Sequence, residues 1–295
     1  LNRTLFVNSG AEANEAALKL AVRYNVGRTH ILSALNGFHG RTSASLGATG
    51  QTKYQQSFEP LISDAYRYYE YGNDESLQMM VDKNTAAIIV EPIQGEGGVV
   101  QADNSFYKLI RDLCDDTGAL MIVDEVQTGM GRTGEWFGIE HYGITPDIIT
   151  MAKGLGGGMP IGACVTTDEI SAVMTPGSHG TTFGGNPLVC ASGNAVINIM
   201  RKENLVKNSK EIGGYIKNNL SAIRSPKIVD VRGAGLIIGI EMDTEETAKG
   251  IQKFMMDHNV LVNVCHGKVI RLIPPLIMGM EEADLFLDLF TEALQ

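Results

Sequence analysis

The first part of the chain alternates between short apolar runs and amphipathic segments, and this alternation limits the folds that it can adopt. The run AAIIVEPI, residues 86–93, is apolar and rich in branched side chains, as is typical of strands buried on both faces. NSFYKLIRDLCDDTG, residues 104–118, has the apolar spacing of a helix and a glycine at its exit. Strands that alternate with helices predict a mainly parallel sheet covered by helices on both faces. The predicted strands of this sheet are residues 4–8, 30–36, 86–93, 119–126, 147–152 and 161–167.

The pattern changes after about Asn186. A long helical region to about Arg224 precedes two short strands around a glycine turn at residues 228–242, and a helix, two strands and a last helix follow. We therefore predict a large α/β domain over residues 1–190, and a bridging helix with a small α+β domain over residues 191–295. Because the chain enters an apolar strand almost at Leu1, we expect the large domain to be incomplete at its N-terminus.

The charge of the chain argues against partners that need a basic surface. Acidic residues outnumber basic ones, 34 to 24, for a net charge of −10, so no nucleic-acid partner is expected. No apolar run approaches the ~18 residues that span a bilayer, and no membrane partner is expected. The four cysteines form no C-x-x-C pair, and the histidines lack metal-ligand spacing. These features predict a cytoplasmic protein with reduced cysteines and no metal site.

A turn of small residues follows the first predicted strand. Ser9 and Glu12 match the S-x-x-E pattern of a capped helix start, and Gly10 and Ala11 lie between them. Small residues leave the backbone N–H groups of the first helical turn accessible, and such a helix start can bind phosphate. A simple helix cap is the alternative interpretation.

Two charged residues stand at the ends of apolar strands. Asp124 follows the run LMIV, and Lys153 follows IITMA and precedes GLGGG. Lys153 is a surface residue, a phosphate ligand or a reactive amine, because an unpaired buried ammonium is costly. Asp124 resembles the Walker B aspartate of nucleotide hydrolases, although the chain has no G-x-x-x-x-G-K-[ST] loop. A nucleoside triphosphatase stays an alternative, because a missing N-terminal segment could contain that loop.

These residues would meet at one edge of a parallel sheet. Ligands of open α/β sheets bind outside the carboxyl ends of the strands, where Asp124, Lys153 and the turn at Ser9 are expected. The turn GFHGRT, residues 37–42, adds an aromatic ring and a histidine. A phosphate site, a carboxylate, a ring and a lysine suit pyridoxal phosphate, because lysine forms its Schiff base and aspartate partners its ring nitrogen.

Seven stretches then carry a resemblance to a known family. The chain resembles the class III aminotransferases of pyridoxal-phosphate fold type I and, among them, the group that acts on acetylornithine. The ornithine, succinylornithine, succinyldiaminopimelate and 4-aminobutyrate groups share most of the motifs, and a shortened protein without activity is a further alternative. The matching stretches are NSGAEANEAALKLA, GFHGRT, IIVEPIQGEGGV, IVDEVQTGMGRTG, PDIITMAKGLGGGMPIGA, HGTTFGGNPL and VIRLIPPL.

The resemblance implies roles for five residues around the cofactor. Lys153 would form the Schiff base and act as the general base. Asp124 would keep the ring nitrogen protonated, and Gln127 would hydrogen-bond near the phenolic oxygen. Phe38 would stack on the ring, with His39 close to it.

The resemblance also implies a shared phosphate site. Ser9, Gly10 and Ala11 would bind the phosphate of their own subunit, and Thr182 would reach the phosphate of the neighbouring one. The family dimer would then form part of each active site.

The resemblance also implies substrate-binding roles for three further residues. Arg41 would take the α-carboxylate of acetylornithine, and Arg271 a carboxylate of 2-oxoglutarate or glutamate. Glu96 would pair with Arg271 whenever that carboxylate is absent. Arg41 as a turn residue and Arg271 as a structural ion pair are the alternatives, and Glu91 is interpreted as structural.

Overall fold

Apolar strands and capped helices alternate through the first unit of the structure, a computed structural model that describes all 295 residues. This unit comprises Leu1–Pro92, Ala102–Gln127 and Ile139–Asn198. Its strands are β1 (Arg3–Val7), β2 (His30–Ala34), β3 (Tyr66–Tyr69), β4 (Thr85–Val90), β5 (Leu120–Asp124), β6 (Ile148–Met151) and β7 (Gly162–Thr166). Its helices are α1 (Gly10–Tyr24), α2 (Ser43–Ala48), α3 (Thr52–Gln55), α4 (Asp74–Met80), α5 (Asn104–Thr117), α6 (Asp168–Ser171) and α7 (Pro187–Lys202), of which α7 runs on into the second unit.

The seven strands form one sheet in the order β1-β7-β6-β5-β4-β2-β3. Neighbours among β2 to β6 are parallel, whereas β7 is antiparallel to both β1 and β6. The connection from β6 to β7 is too short for the crossover of a dozen or more residues that parallel strands need. The predicted mainly parallel sheet is confirmed, and β7 is its one reversed strand.

The central strands lie in the core, as their sequences predict. Every residue of β4 and of β5 is buried. Gly118 ends α5 in the left-handed conformation, with its N–H bonded to the carbonyl of Cys114, as expected for a glycine at that position. Cys114 and Cys164 are buried free thiols, and burial raises the pKa of each to about 12.

The second unit comprises Ile93–Gln101, Thr128–Gly138 and Ile199–Gln295. Its helices are α8 (Leu205–Ala222), α9 (Glu245–Asp257) and α10 (Met280–Ala293). Its strands are β8 (Ile228–Ala234), β9 (Ile237–Met242), β10 (Asn263–Cys265) and β11 (Val269–Leu272), and they form an antiparallel sheet in the order β10-β11-β9-β8.

The long helical region predicted up to about Arg224 is two helices. The first, α7, ends at Lys202, and α8 begins at Leu205. Asn204 between them has a φ of 52°, a left-handed conformation that asparagine tolerates better than most residues and that interrupts a right-handed helix. None of the helices is both long and apolar enough to cross a membrane.

Candidate active site

A cavity of about 610 Å³ opens at the carboxyl ends of β1, β5 and β6, within the first unit. The direction of the strands explains this position, since these three ends lie at the same edge of the sheet. Nine of the twelve residues predicted for the site line the cavity, namely Ser9, Gly10, Ala11, Phe38, His39, Arg41, Asp124, Gln127 and Lys153.

Lys153 stands two residues beyond the end of β6 and begins a short 3-10 helix, Lys153–Gly156. Its side chain is exposed at the cavity, so the lysine is a cavity residue and the cost of a buried ammonium does not arise. Its φ of 44° lies in the left-handed region, which costs a residue with a Cβ about 1 kcal/mol or more. Such strain is typical of functional positions, where the side chain itself is needed.

Asp124 ends β5 as a fixed, buried carboxylate. Its Oδ2 accepts hydrogen bonds from Asn14 Nδ2 at 2.7 Å and from His39 Nδ1 at 2.8 Å, and its Oδ1 accepts one from the N–H of Val126 at 2.9 Å. Asn14 also donates to the carbonyl of His39 at 2.7 Å. The carboxylate is therefore held in one orientation at the cavity wall.

Asn14 is a site residue that the motifs did not reveal. It lies inside α1 and is 1% exposed, and its Oδ1 accepts a hydrogen bond from Thr150 Oγ1 at 2.7 Å. A buried asparagine on the apolar face of a helix needs polar partners. Its position on one helix face with Ala17 and Leu18, three and four residues later, is the signal that could have pointed to it.

His39 joins this carboxylate to the inner wall of the cavity. Burial lowers the pKa of its ring, but the hydrogen bond and the charge of Asp124 outweigh burial and leave that pKa raised. Its Nε2 is buried and has no hydrogen-bond partner in the structure. Unsatisfied buried polar atoms are rare in proteins and mark sites where a partner is missing.

The start of α1 forms the floor of the cavity. Ser9 Oγ accepts the N–H of Glu12 at 3.2 Å, which is the first half of the predicted cap. Glu12, however, accepts from the backbone N–H of Asn8 at 2.9 Å, where the S-x-x-E pattern predicts a bond to Ser9. The N–H groups of Gly10 and Ala11, the first residues of α1, have no carbonyl four residues earlier in the helix to bond.

Two glycines let the surrounding chain approach this helix start. A Cβ at Gly162 would lie 2.3 Å from the carbonyl oxygen of Ser9. Gly40 has a φ of 137°, and a Cβ there would lie 2.8 Å from the Cβ of Ala11. Larger residues at either position would push the chain away from the start of α1.

Glu91, which the sequence analysis interprets as structural, is a buried polar residue that contacts the turn of Phe38. It is 4% exposed, and its Oε2 accepts the N–H of Phe38 at 2.9 Å. Tyr107 donates to the carbonyls of Glu91 and Pro92 at 3.1 and 2.8 Å, and Tyr142 to that of Pro92 at 3.0 Å. Glu91 therefore has a structural contact, as predicted, but that contact is with the turn that carries Phe38.

Burial raises the pKa of Glu91 to about 7, and the charges of His39 and Lys153 oppose the increase while that of Asp124 adds to it. A folded-state pKa above the ordinary 4.5 stabilises the fold below about pH 4.5, and the contribution disappears as the pH rises through about 7. We expect the unfolding free energy of the wild type to fall by about 3 kcal/mol over this range relative to Glu91→Gln. Chemical denaturation of both apoproteins between pH 4.5 and 8 measures it. Parallel pH curves for the two proteins would contradict it.

Three predicted residues are not among those that line the cavity. Arg271 and Glu96 belong to the second unit and form an ion pair, Nη1 to Oε1 at 2.8 Å, as the resemblance implies. Arg271 is 8% exposed. Thr182 is exposed in the loop before α7 and lines a separate hollow with Lys19 and His179.

The groups around the cavity fit pyridoxal phosphate. The carboxylate of Asp124 suits a protonated ring nitrogen, the ring of Phe38 suits an aromatic face, and the amine of Lys153 suits an aldehyde. The start of α1 suits a phosphate dianion. The unsatisfied Nε2 of His39 is consistent with a wall that a bound ligand completes.

Comparison with known proteins gives the same family. The family model described as Aminotransferase class-III matches residues 2–294. The chain is 44% identical to the acetylornithine aminotransferase of Caldanaerobacter subterraneus, over 99% of this chain and 75% of that protein. It is 45% identical to the acetylornithine aminotransferase of Methanocaldococcus jannaschii, over 99% of this chain and 74% of that protein.

Solved structures agree with the fold. The ornithine aminotransferase of Toxoplasma gondii superposes with a TM-score of 0.93 at 30% identity, over 99% of this chain and 72% of that one. In that structure PLP partially occupies the active site. A transaminase from the marine bacterium Virgibacillus gives a TM-score of 0.94 at 29% identity, over 100% of this chain and 75% of that one. The chain thus belongs to the class-III aminotransferases, enzymes of pyridoxal-phosphate fold type I.

Proposed function

We propose that this enzyme moves the δ-amino group of N-acetylornithine to 2-oxoglutarate, which yields N-acetylglutamate semialdehyde and glutamate, a step of arginine biosynthesis. Relatives that carry the name acetylornithine aminotransferase are 42% to 46% identical to it over the aligned residues. The observation that carries the proposal is one cavity lined by Lys153, Asp124 and Arg41. The other ω-aminotransferase groups named above stay as alternatives. The free cysteines support a cytoplasmic enzyme.

The chain's own residues divide the work at the cofactor. When bound, pyridoxal phosphate supplies an electron sink for the carbon that loses its proton. Lys153 Nζ would bind the cofactor, give way to the substrate amine, and then hold the proton taken from the substrate carbon. Asp124, oriented by Asn14 and His39, would keep a proton on the ring nitrogen.

The remaining cavity residues would orient the cofactor. Phe38 would stack on its ring, and Gln127 would hydrogen-bond to its phenolic oxygen. Ser9, Gly10 and Ala11 would bind the phosphate at the start of α1, where the helix dipole favours an anion.

Two arginines would each bind the carboxylate of a different substrate. Arg41 lines the cavity and would take the α-carboxylate of N-acetylornithine, because a guanidinium can bind a carboxylate with two parallel hydrogen bonds. Arg271 would take a carboxylate of glutamate or 2-oxoglutarate. Its ion pair with Glu96 would hold it while the other substrate is bound.

Replacing Arg41 by alanine tests this division. We expect kcat/KM for N-acetylornithine to fall by roughly 10- to 100-fold, because hydrogen bonds to a charged group contribute about 1.5–3 kcal/mol. The half-reaction with glutamate should stay within about threefold of the wild type. Single-turnover spectra of each half-reaction measure this, and Arg41→Lys, which keeps the charge but not the planar fork, should be intermediate. Equal losses in both half-reactions would contradict the division.

We also propose a homodimer with shared active sites. Phe183 in the loop before α7 is 69% exposed, Leu188 in the first turn of α7 is 66% exposed, and Phe6 of the edge strand β1 is 38% exposed. Exposed apolar groups of this size favour an interface. Thr182 in this loop would reach the phosphate of the neighbouring subunit. Light scattering of the holoenzyme should give twice the chain mass, and a monomer of full activity would refute the shared site.

A further inference from the structure

The ring of Tyr54 contacts two residues of the proposed site. The guanidinium carbon of Arg41 lies over its ring at 5.0 Å from the ring centroid. The ring of Phe38 meets it edge to face, with centroids 5.5 Å apart and planes at 76°. One aromatic ring therefore contacts both the proposed carboxylate ligand and the proposed stacking residue.

The short helix α3, which carries Tyr54, is tied to the chain around it. Gln51, just before it, donates from Nε2 to the carbonyls of Asn36 and Gly37 at 2.9 and 3.3 Å. Gln55 at its end donates to the carbonyl of Thr49 at 2.9 Å. These hydrogen bonds therefore fix the helix that carries Tyr54 against the turn at residues 37–42, which carries Phe38 and Arg41.

The backbone on either side of Arg41 is also fixed. Gly40 packs against Ala11, as described above, and Glu15 Oε1 accepts the N–H groups of Ala44 and Ser45 at 2.9 and 3.1 Å. The side chain of Arg41, in contrast, is exposed. A long exposed side chain has many rotamers, and ordering it on binding costs free energy.

The contact with Tyr54 suits a carboxylate ligand. A cation–aromatic contact uses the flat face of the guanidinium, whereas a carboxylate binds at its N–H edge. Tyr54 can therefore restrict Arg41 without occupying the groups that bind substrate. Lys53 Nζ also lies 4.8 Å from the centroid of this ring, so it is the natural control for a purely electrostatic effect.

We propose that Tyr54 is a positioning residue for the amine donor, which holds the Arg41 guanidinium ready for the α-carboxylate of N-acetylornithine. This inference rests on the proposed function. It means that an aromatic ring outside the cavity lining increases the affinity of the enzyme for N-acetylornithine.

Kinetics of the holoenzyme test the inference. Tyr54→Leu should raise KM for N-acetylornithine roughly fivefold, the effect of losing one such contact. The kcat of this variant and the rate of its half-reaction with glutamate should stay within about twofold of the wild type, because Arg41 binds N-acetylornithine and not glutamate. Tyr54→Phe keeps the ring and should match the wild type. Lys53→Met should leave KM within about twofold.

Two further measurements separate positioning from a structural role. In the Arg41→Ala background, Tyr54→Leu should add no further loss. N-acetylnorvaline carries the same carboxylate and acetamido groups without the δ-amine, and calorimetry with the holoenzyme should show it binding Tyr54→Leu roughly fivefold more weakly than the wild type.

Other outcomes would overturn the inference. Three results would each refute the role of Tyr54 and leave the proposed function standing. They are equal losses of activity of Tyr54→Leu with N-acetylornithine and with glutamate, a KM of Tyr54→Phe as high as that of Tyr54→Leu, and the same increase of KM in Lys53→Met. A wild-type holoenzyme that neither turns over N-acetylornithine nor binds N-acetylnorvaline would instead refute the proposed function, and the inference with it.

Discussion

Replacement of Lys153 by alanine is expected to lower kcat for transamination by at least ~10³-fold. The substitution removes both the covalent link to the cofactor and the base that moves the proton. No other lysine lines the cavity, so no neighbouring amine can replace it. Lys108→Ala, a change at an exposed lysine of α5, is the matched control and should keep full activity.

The chemistry of the amine gives a direct measurement. Borohydride should abolish the visible band of the wild-type holoenzyme and leave the label on Lys153, as peptide mass spectrometry would show. Added methylamine should restore part of the lost activity of Lys153→Ala, since it supplies the missing base. A label on another lysine, or a Lys153→Ala variant of normal kcat, would refute the assignment.

The strained backbone at Lys153 offers a second comparison. Its φ of 44° favours glycine, so Lys153→Gly should be more stable than Lys153→Ala by roughly 1 kcal/mol. Both variants should be inactive. Thermal denaturation of the two apoproteins would show whether the fold tolerates this strain for the sake of the side chain.

Asp124→Asn is expected to lower kcat by about 10²- to 10³-fold, the usual loss when a charge that stabilises the transition state is removed. Both carboxylate oxygens accept hydrogen bonds in the structure. An amide in this place must point its NH₂ at one of these donors, so a stability cost of about 1–3 kcal/mol is also expected. Steady-state kinetics and chemical denaturation measure the two effects separately.

A cofactor analogue can separate the charge from the fold. Pyridoxal phosphate methylated on its ring nitrogen carries a permanent positive charge and does not need an aspartate to keep a proton there. We expect this analogue to restore most of the lost kcat in Asp124→Asn and little in Lys153→Ala. Failure to rescue Asp124→Asn, with the analogue shown to bind, would mean that the aspartate acts in another way.

Much of the large sheet could be predicted because its strands carry their own signal. Continuous apolar runs such as those of β4 and β5 identify buried strands locally. The edge strand β3, YRYY, was not predicted, because an aromatic and charged tetrapeptide has no clear alternation. The reversed direction of β7 was missed because direction depends on the length of a connection and on partners that a local pattern does not contain.

The site was predictable to a similar extent. Ser9, Asp124 and Lys153 stand where strands end, so the rule for open sheets placed them together. Asn14 lines the cavity, and Glu91 and Tyr54 contact residues that line it. None of the three was recognised as part of the site, because such contacts join segments that are not adjacent in the chain. The aminotransferase family also removes the nucleotide alternative, in which Asp124 would have been a metal-binding aspartate.

Transfer of a labelled nitrogen tests the central claim most directly. The wild-type holoenzyme would be incubated with 2-oxoglutarate and N-acetylornithine isotopically labelled at the δ-nitrogen, beside parallel reactions with labelled ornithine and 4-aminobutyrate. Mass spectrometry of the glutamate formed should show the label arriving fastest from N-acetylornithine. Unlabelled glutamate, or faster transfer from either of the other two amines, would contradict the proposed substrate.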